Sequence, residues 1–184
     1  MITILGLVIY LATAMSDWVP MSNHSHYEKL EVTQARYSEI ATTISVAILD
    51  ENQAPIFDDE DNLTNRVKTG LLLASIAAYE SSFKKDVDSC AEGGDHGLAW
   101  GIWQTHANKA KVCADRAVAV HVALRMIETS FNNCKNRNIN DRLSIYTDGI
   151  CHTNWKRSRS RVERALSWHK KHRSELLVNN ETSE

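Results

Sequence analysis

The chain has 184 residues, of which 43% are hydrophobic and 24% charged, enough to bury the core of one domain and too apolar for a disordered polymer. A net charge of −2 gives no overall attraction to nucleic acid, and no nucleic-acid partner is expected. Seven glycines and two prolines are too few for the turn-dense pattern of an all-β protein, so a mainly α fold is expected.

The first fifteen residues, MITILGLVIYLATAM, form an uncharged apolar run that is short for a membrane span and suited to a signal-peptide core. Ala12-Thr13-Ala14 offers a small-residue cleavage site, but no Lys or Arg precedes the run. Residues 1–20 therefore read as an export signal, an anchor, or a helix packed on the domain or on a partner such as a virion component. Residues 21–184 read as one domain.

Between 27 and 49, Leu30, Val32, Ala35, Tyr37, Ile40, Ile44, Ala47 and Ile48 recur at helical spacing and predict an amphipathic helix. An acidic loop over 51–61 follows, and Asp61 to Thr64 supply capping groups for the next helix, expected from Val67 to about Phe83. There Leu72, Ile76, Tyr79 and Phe83 share a stripe, and Leu73, Ala77 and Glu80 share its neighbour, which sets Glu80 at the border of the buried face. Gly93, Gly94, Gly97 and Gly101 break any helical period and predict a small turn-rich or β segment over 84–105.

A further helix is expected over Cys113 to Phe131, with Ala117, Val120, His121, Leu124 and Ile127 inward, and another from Asn138 to Asp148. The last helix, about Asn154 to Leu177, turns Trp155, Val162, Leu166 and His169 inward. Residues 155–173 carry eight Lys or Arg against one Glu, a solvated basic face or a surface for anionic wall polymer or lipid headgroups.

Cys90, Cys113, Cys134 and Cys151 lack the CxxC or CxxH pairs of structural zinc, and neither metal nor cofactor is implied. Two disulfides are the better reading, although three pairings are formally open; sequential pairing would close one loop around the Gly-Trp segment. Disulfides imply an oxidising location: periplasm, cell wall or particle surface.

The chemistry converges on residues 78–106. A carboxyl bordering an apolar face loses hydration, which favours its protonated form and suits it to donate a proton to a leaving sugar oxygen. Glycines admit close approach of a sugar chain, and tryptophans offer flat apolar faces. The ESSF segment at 80–83 followed by GLAWGIWQ at 97–104 closely resembles the signature of the lysozyme-like superfamily, specifically soluble lytic transglycosylases and goose-type lysozymes. Glu80-Ser81 matches its first element, and Gly101-Ile102-Trp103-Gln104 its second, with Trp103 where the family often has Met. IYTDG, 145–149, is similar to a third element, with Tyr146 matching a tyrosine and Thr147 replacing an asparagine. The likeness spans about residues 65–165.

The resemblance implies an α+β lysozyme-like fold and cleavage of the β-1,4 bond between N-acetylmuramic acid and N-acetylglucosamine in bacterial peptidoglycan. Glu80 would be the general acid and then the general base. Tyr146 would bond and orient it, while Ser81, Gly101, Ile102 and Gln104 would line the cleft. Asp95 stands nine positions before Gln104, where goose-type enzymes place a water-holding aspartate; His106 stands where they have a further aspartate. Attack by the muramyl 6-hydroxyl would make the enzyme a lytic transglycosylase, and attack by water a lysozyme. The alternatives are an inert glycan-binding or structural virion component of the same fold, and a zinc-stabilised interaction protein using the cysteines.

Overall fold

A computed structural model describes residues 3–178, and the chain in it is mainly helical. Eight α-helices follow in order: α1 Ile4–Trp18, α2 Leu30–Leu49, α3 Asn62–Ser81, α4 Lys85–Asp88, α5 Lys109–Ala114, α6 Arg116–Asn133, α7 Ser144–Asp148 and α8 Lys156–Val178. Among the described residues no strand forms. Two isolated antiparallel bridges, Gly94 with Ala99 and Trp100 with Thr105, are all that stands where a small β segment was one expectation.

The centre of the bundle is α3, which packs against α8, α1, α2 and α6. Its start follows from Asp61, whose carboxylate accepts the Thr64 backbone N–H at 3.0 Å, as the capping pattern predicted. From Val67 to Ala78 every residue is buried, because neighbours cover all sides of this helix. Fully burying a side chain such as Leu71, Leu72, Leu73 or Ile76 contributes about 1.5–3 kcal/mol each, so α3 is the most firmly held element of the fold.

Helix α1 supplies core residues, with Leu7, Leu11, Ala14 and Met15 fully buried. Its polar atoms tie it to α8: Tyr10 Oη lies 3.1 Å from His169 Nδ1, and Trp168 Nε1 donates to Asp17 at 3.0 Å. Tyr10 and Trp168 also meet edge to face with centroids 4.7 Å apart. No described helix is long and apolar enough to cross a membrane.

The inward faces of three helices differ from expectation. On α2, Leu30 and Val32 are exposed, and Thr33 and Arg36 are buried instead. Arg36 can be buried because its Nε donates to the Phe83 carbonyl at 3.1 Å and its guanidinium pairs with Glu28. The helix expected over Cys113 to Phe131 is two helices broken at Asp115, whose carboxylate caps α6 by accepting from Ala117 at 2.7 Å. That break leaves Ala117 exposed and His121 half-buried, with Ala119 and Ala123 in the core. The helix predicted from Asn138 is a 3-10 turn, Ile139–Asp141, followed by α7. On α8, Val162, Ala165, Trp168 and His169 are buried and Leu166 is half-buried, while Trp155, half-buried too, lies just ahead of the helix rather than in it.

Both disulfides are present and pair sequentially, Cys90 with Cys113 and Cys134 with Cys151. No described cysteine is free to ligate zinc, which removes the zinc-stabilised reading.

Candidate active site

Helix α3 ends just beyond Glu80 because the backbone turns left-handed. Ser82 (φ 50°) and Phe83 (φ 54°) are consecutive residues in that region. Ser81 secures the stop. Its buried hydroxyl donates to the Ala77 carbonyl at 2.8 Å and accepts the Phe83 N–H at 3.1 Å. Ser81 reaches the cavity wall, but its hydroxyl is occupied in ending the helix rather than free for a substrate.

Glu80 therefore sits at the rim of the bundle with its side chain about a quarter exposed. It faces a cavity of about 190 Å³ whose other walls include Lys84, Val87, Glu92, Gly93, Gly94 and Gln104. The apolar border expected around its carboxyl is instead an ion pair. Arg161 of α8 donates from Nε at 3.1 Å and from its terminal nitrogen at 2.6 Å, both to Glu80 Oε1. Oε2 accepts no hydrogen bond from a described residue. Arg161 is buried, held by the Arg157 carbonyl at 2.7 Å and stacked on Tyr79 at 4.8 Å.

The opposite wall comes from residues 84–105, laced to α5 by Cys90–Cys113. Cys90, Asp95, His96 and Gln104 all adopt positive φ there, a concentration of left-handed backbone in one short segment. Gly94 lies against Gln104: a Cβ on it would sit 1.8 Å from Gln104 Oε1 and would displace that flexible side-chain end. Gln104 Nε2 donates to the Gly101 carbonyl at 2.9 Å, so the amide plane is fixed against the glycine at the cavity.

Of the residues expected in the site, Glu80, Ser81 and Gln104 line one cavity. Others lie elsewhere. Gly101 and Ile102 line a separate cavity of about 410 Å³, bounded by Asp88, Asp115 and Arg116, because the tight turn at Gly101 (φ 70°) points them away from Glu80. Trp103 is buried and donates from Nε1 to the Leu73 carbonyl at 3.1 Å, bolting the segment to α3. Asp95 is exposed in a 3-10 turn, 3.4 Å from His106 Nε2, and neither residue borders the Glu80 cavity. The acid that does is Glu92.

Tyr146 does not bond Glu80. Its hydroxyl donates to the Trp103 carbonyl, and its own N–H donates to Ser130 Oγ at 3.2 Å. Burial pushes its phenol far above the usual range, the Glu80 charge adds to that, and Arg161 opposes it. Tyr146 thus lies near Glu80 without bonding it and is tied instead to the Trp103 segment.

The sequence reading missed Arg161, Lys84 and Glu92. Arg161 had a signal: Ser158, Val162, Ala165 and His169 form an inward stripe at three- and four-residue spacing, and Arg161 belongs to it. Among the described residues no cluster of His, Cys, Asp and Glu could hold a metal ion. No protein-family model matches the chain, nor does any curated protein or solved structure.

Proposed function

We propose that the chain is a peptidoglycan glycosidase with Glu80 as its general acid and base. The observation that carries this reading is the placement of Glu80. It is a carboxylate at the end of the central helix, opening onto a cavity whose far wall is the glycine-backed amide of Gln104, in the order that the sequence resemblance implies. In the first step Glu80 gives its proton to the glycosidic oxygen as the muramyl C1–O bond breaks. In the second it takes a proton from the nucleophile that attacks C1. Arg161 holds Oε1, so the proton that the carboxyl carries sits on Oε2, which no described residue engages.

The nucleophile is the muramyl 6-hydroxyl or water. Hydrolysis by the goose-type arrangement draws on Asp95, which faces His106; an acid at the cavity itself is available only in Glu92 among the described residues. A muramyl hydroxyl needs no second acid. The two disulfides favour an extracytoplasmic setting, in the periplasm, the cell wall or a virion. The exposed Lys170, Lys171 and Arg173 of α8 keep the proposal of an anionic wall or membrane surface partner, whereas Arg159 and Arg161 are paired with carboxylates within the fold.

A second reading, an inert glycan-binding or structural virion component, draws support from the same ion pair, which by itself gives Glu80 a structural role in tying α3 to α8. Mass analysis of fragments released from purified peptidoglycan separates the readings. Anhydro-muramyl ends mean transglycosylation and reducing ends mean hydrolysis. An absence of released fragments would favour the inert component.

A further inference from the structure

Next to the Glu80 cavity, and sharing Ser82 and Lys84 with it, lies a larger chamber of about 490 Å³. Its walls come from the end of α1 and the turn after it (Trp18, His24, Tyr27), from α3 (Tyr79) and from α8 (Arg164). No Asp or Glu lines it. Burial holds the His24 imidazole below its usual range, with Arg36 and Lys84 adding to the effect and Glu28 opposing it.

Arg164 is the central feature. Its guanidinium stacks 3.9 Å from the Tyr79 ring centroid and 5.8 Å from that of Trp18. Aromatic faces hold a guanidinium in place while leaving the N–H groups at its edge free to bond. Yet neither Arg164 nor Lys84 makes a side-chain hydrogen bond or ion pair with any described residue. Most other arginines around it are committed: Arg161 to Glu80, Arg159 to Asp141, Arg36 to Glu28. Guanidinium groups occupy Tyr79, so this ring presents charge rather than a bare aromatic face to the pocket. What this open pocket offers is two cations with no ion-pair partner among the described residues, Arg164 against aromatic rings and Lys84 at the border with the Glu80 cavity.

We infer that this chamber binds the carboxylates of the peptide stem carried by the muramyl sugar, with Arg164 as the bidentate partner and Lys84 as the second charge. The inference rests on the glycosidase reading, because that reading puts a stem-bearing sugar at Glu80, one wall away. It makes the enzyme selective for substituted strands over bare glycan.

The test uses the full chain and soluble stem peptide, freed from peptidoglycan by an amidase and titrated by calorimetry. Wild type is expected to bind it. Arg164→Gln and Lys84→Gln should each weaken binding about tenfold, the effect of losing one charge-assisted contact. Peptide with its carboxylates amidated should bind as weakly as the variants bind the native peptide, and Lys135→Gln, an exposed lysine just beyond α6, should bind like wild type. On cleavage, Arg164→Gln, which lies outside the Glu80 cavity, should raise KM on stem-bearing strands and match wild type on strands stripped of stems. No binding by wild type, or unaltered binding by both variants, overturns the inference. Stem binding that the variants lose, in a wild type that cleaves nothing, would uphold the anion site and sink the glycosidase reading instead.

Discussion

The central helix α3 and the segment of 82–104 that follows it reach definite structure by different routes. Between Val67 and Ala78, α3 is covered on all sides, and many interchangeable apolar contacts specify it. The following segment has little core of its own. It is held by individual devices: left-handed residues, one disulfide, a glycine pressed on an amide, and the Trp103 indole on the Leu73 carbonyl. Glu80 stands where the two meet, so one wall of its cavity is redundant and the other is sensitive residue by residue. Rigid support behind the acid and a finely conditioned wall before it are what a site needs to hold a reacting group in place.

The contrast can be broken from either side. Leu72→Ala should cost about 3 kcal/mol by leaving a cavity in the fully buried helix, measured by denaturant unfolding. Specific activity per folded molecule should hold. Replacing Cys90 and Cys113 with Ser opens a loop with a sequence separation of 23 and should cost about 3 kcal/mol. Here activity should fall out of proportion to the folded fraction, because the wall facing Glu80 loosens while α3 stays formed.

A third variant probes the start of α8, which carries Arg161. Asp141 is buried and accepts from Arg159 Nε at 2.9 Å and from the Asn154 and Trp155 N–H groups at 3.0 Å each. The Arg159 bonds, helped by those backbone donors, hold its carboxyl below the usual carboxylate range. A depressed folded value means the stabilisation is complete above the unfolded value of about 3.9 and is lost as pH falls through the folded one. Asp141→Asn should therefore cost about 2 kcal/mol at neutral pH and flatten the decline in stability below about pH 4, read from melting curves. The smallest stability effect belongs to Gly94→Ala, about 1 kcal/mol or less, because the displaced group is the flexible end of Gln104. Its effect on activity should be larger, near tenfold, since Gln104 must leave the cavity wall.

The same division explains what could be read from the sequence. The mainly helical class, the Asp61 cap and the border position of Glu80 all follow from periodicity and capping. Sequential cysteine pairing was among the open options and is the one formed. The inward face of α2 was misread because a buried Arg36 is tolerated only through Glu28 and the Phe83 carbonyl, partners far apart in sequence. Arg161 was hidden in a run of basic residues taken as solvated. The goose-type resemblance implies a water holder at Asp95, yet the turn at Asp95 and His96 directs that carboxylate to His106. Spacing locates a residue along the chain, whereas the left-handed turns of this segment decide which cavity it faces.

The most direct measurement compares wild type and Glu80→Gln for soluble fragments released from purified peptidoglycan, with melting temperature as the check on folding. The amide keeps an acceptor for Arg161 and removes the proton donor. Release should fall at least about a hundredfold with the fold intact. Equal release by both proteins would contradict the assignment of Glu80 as the acid.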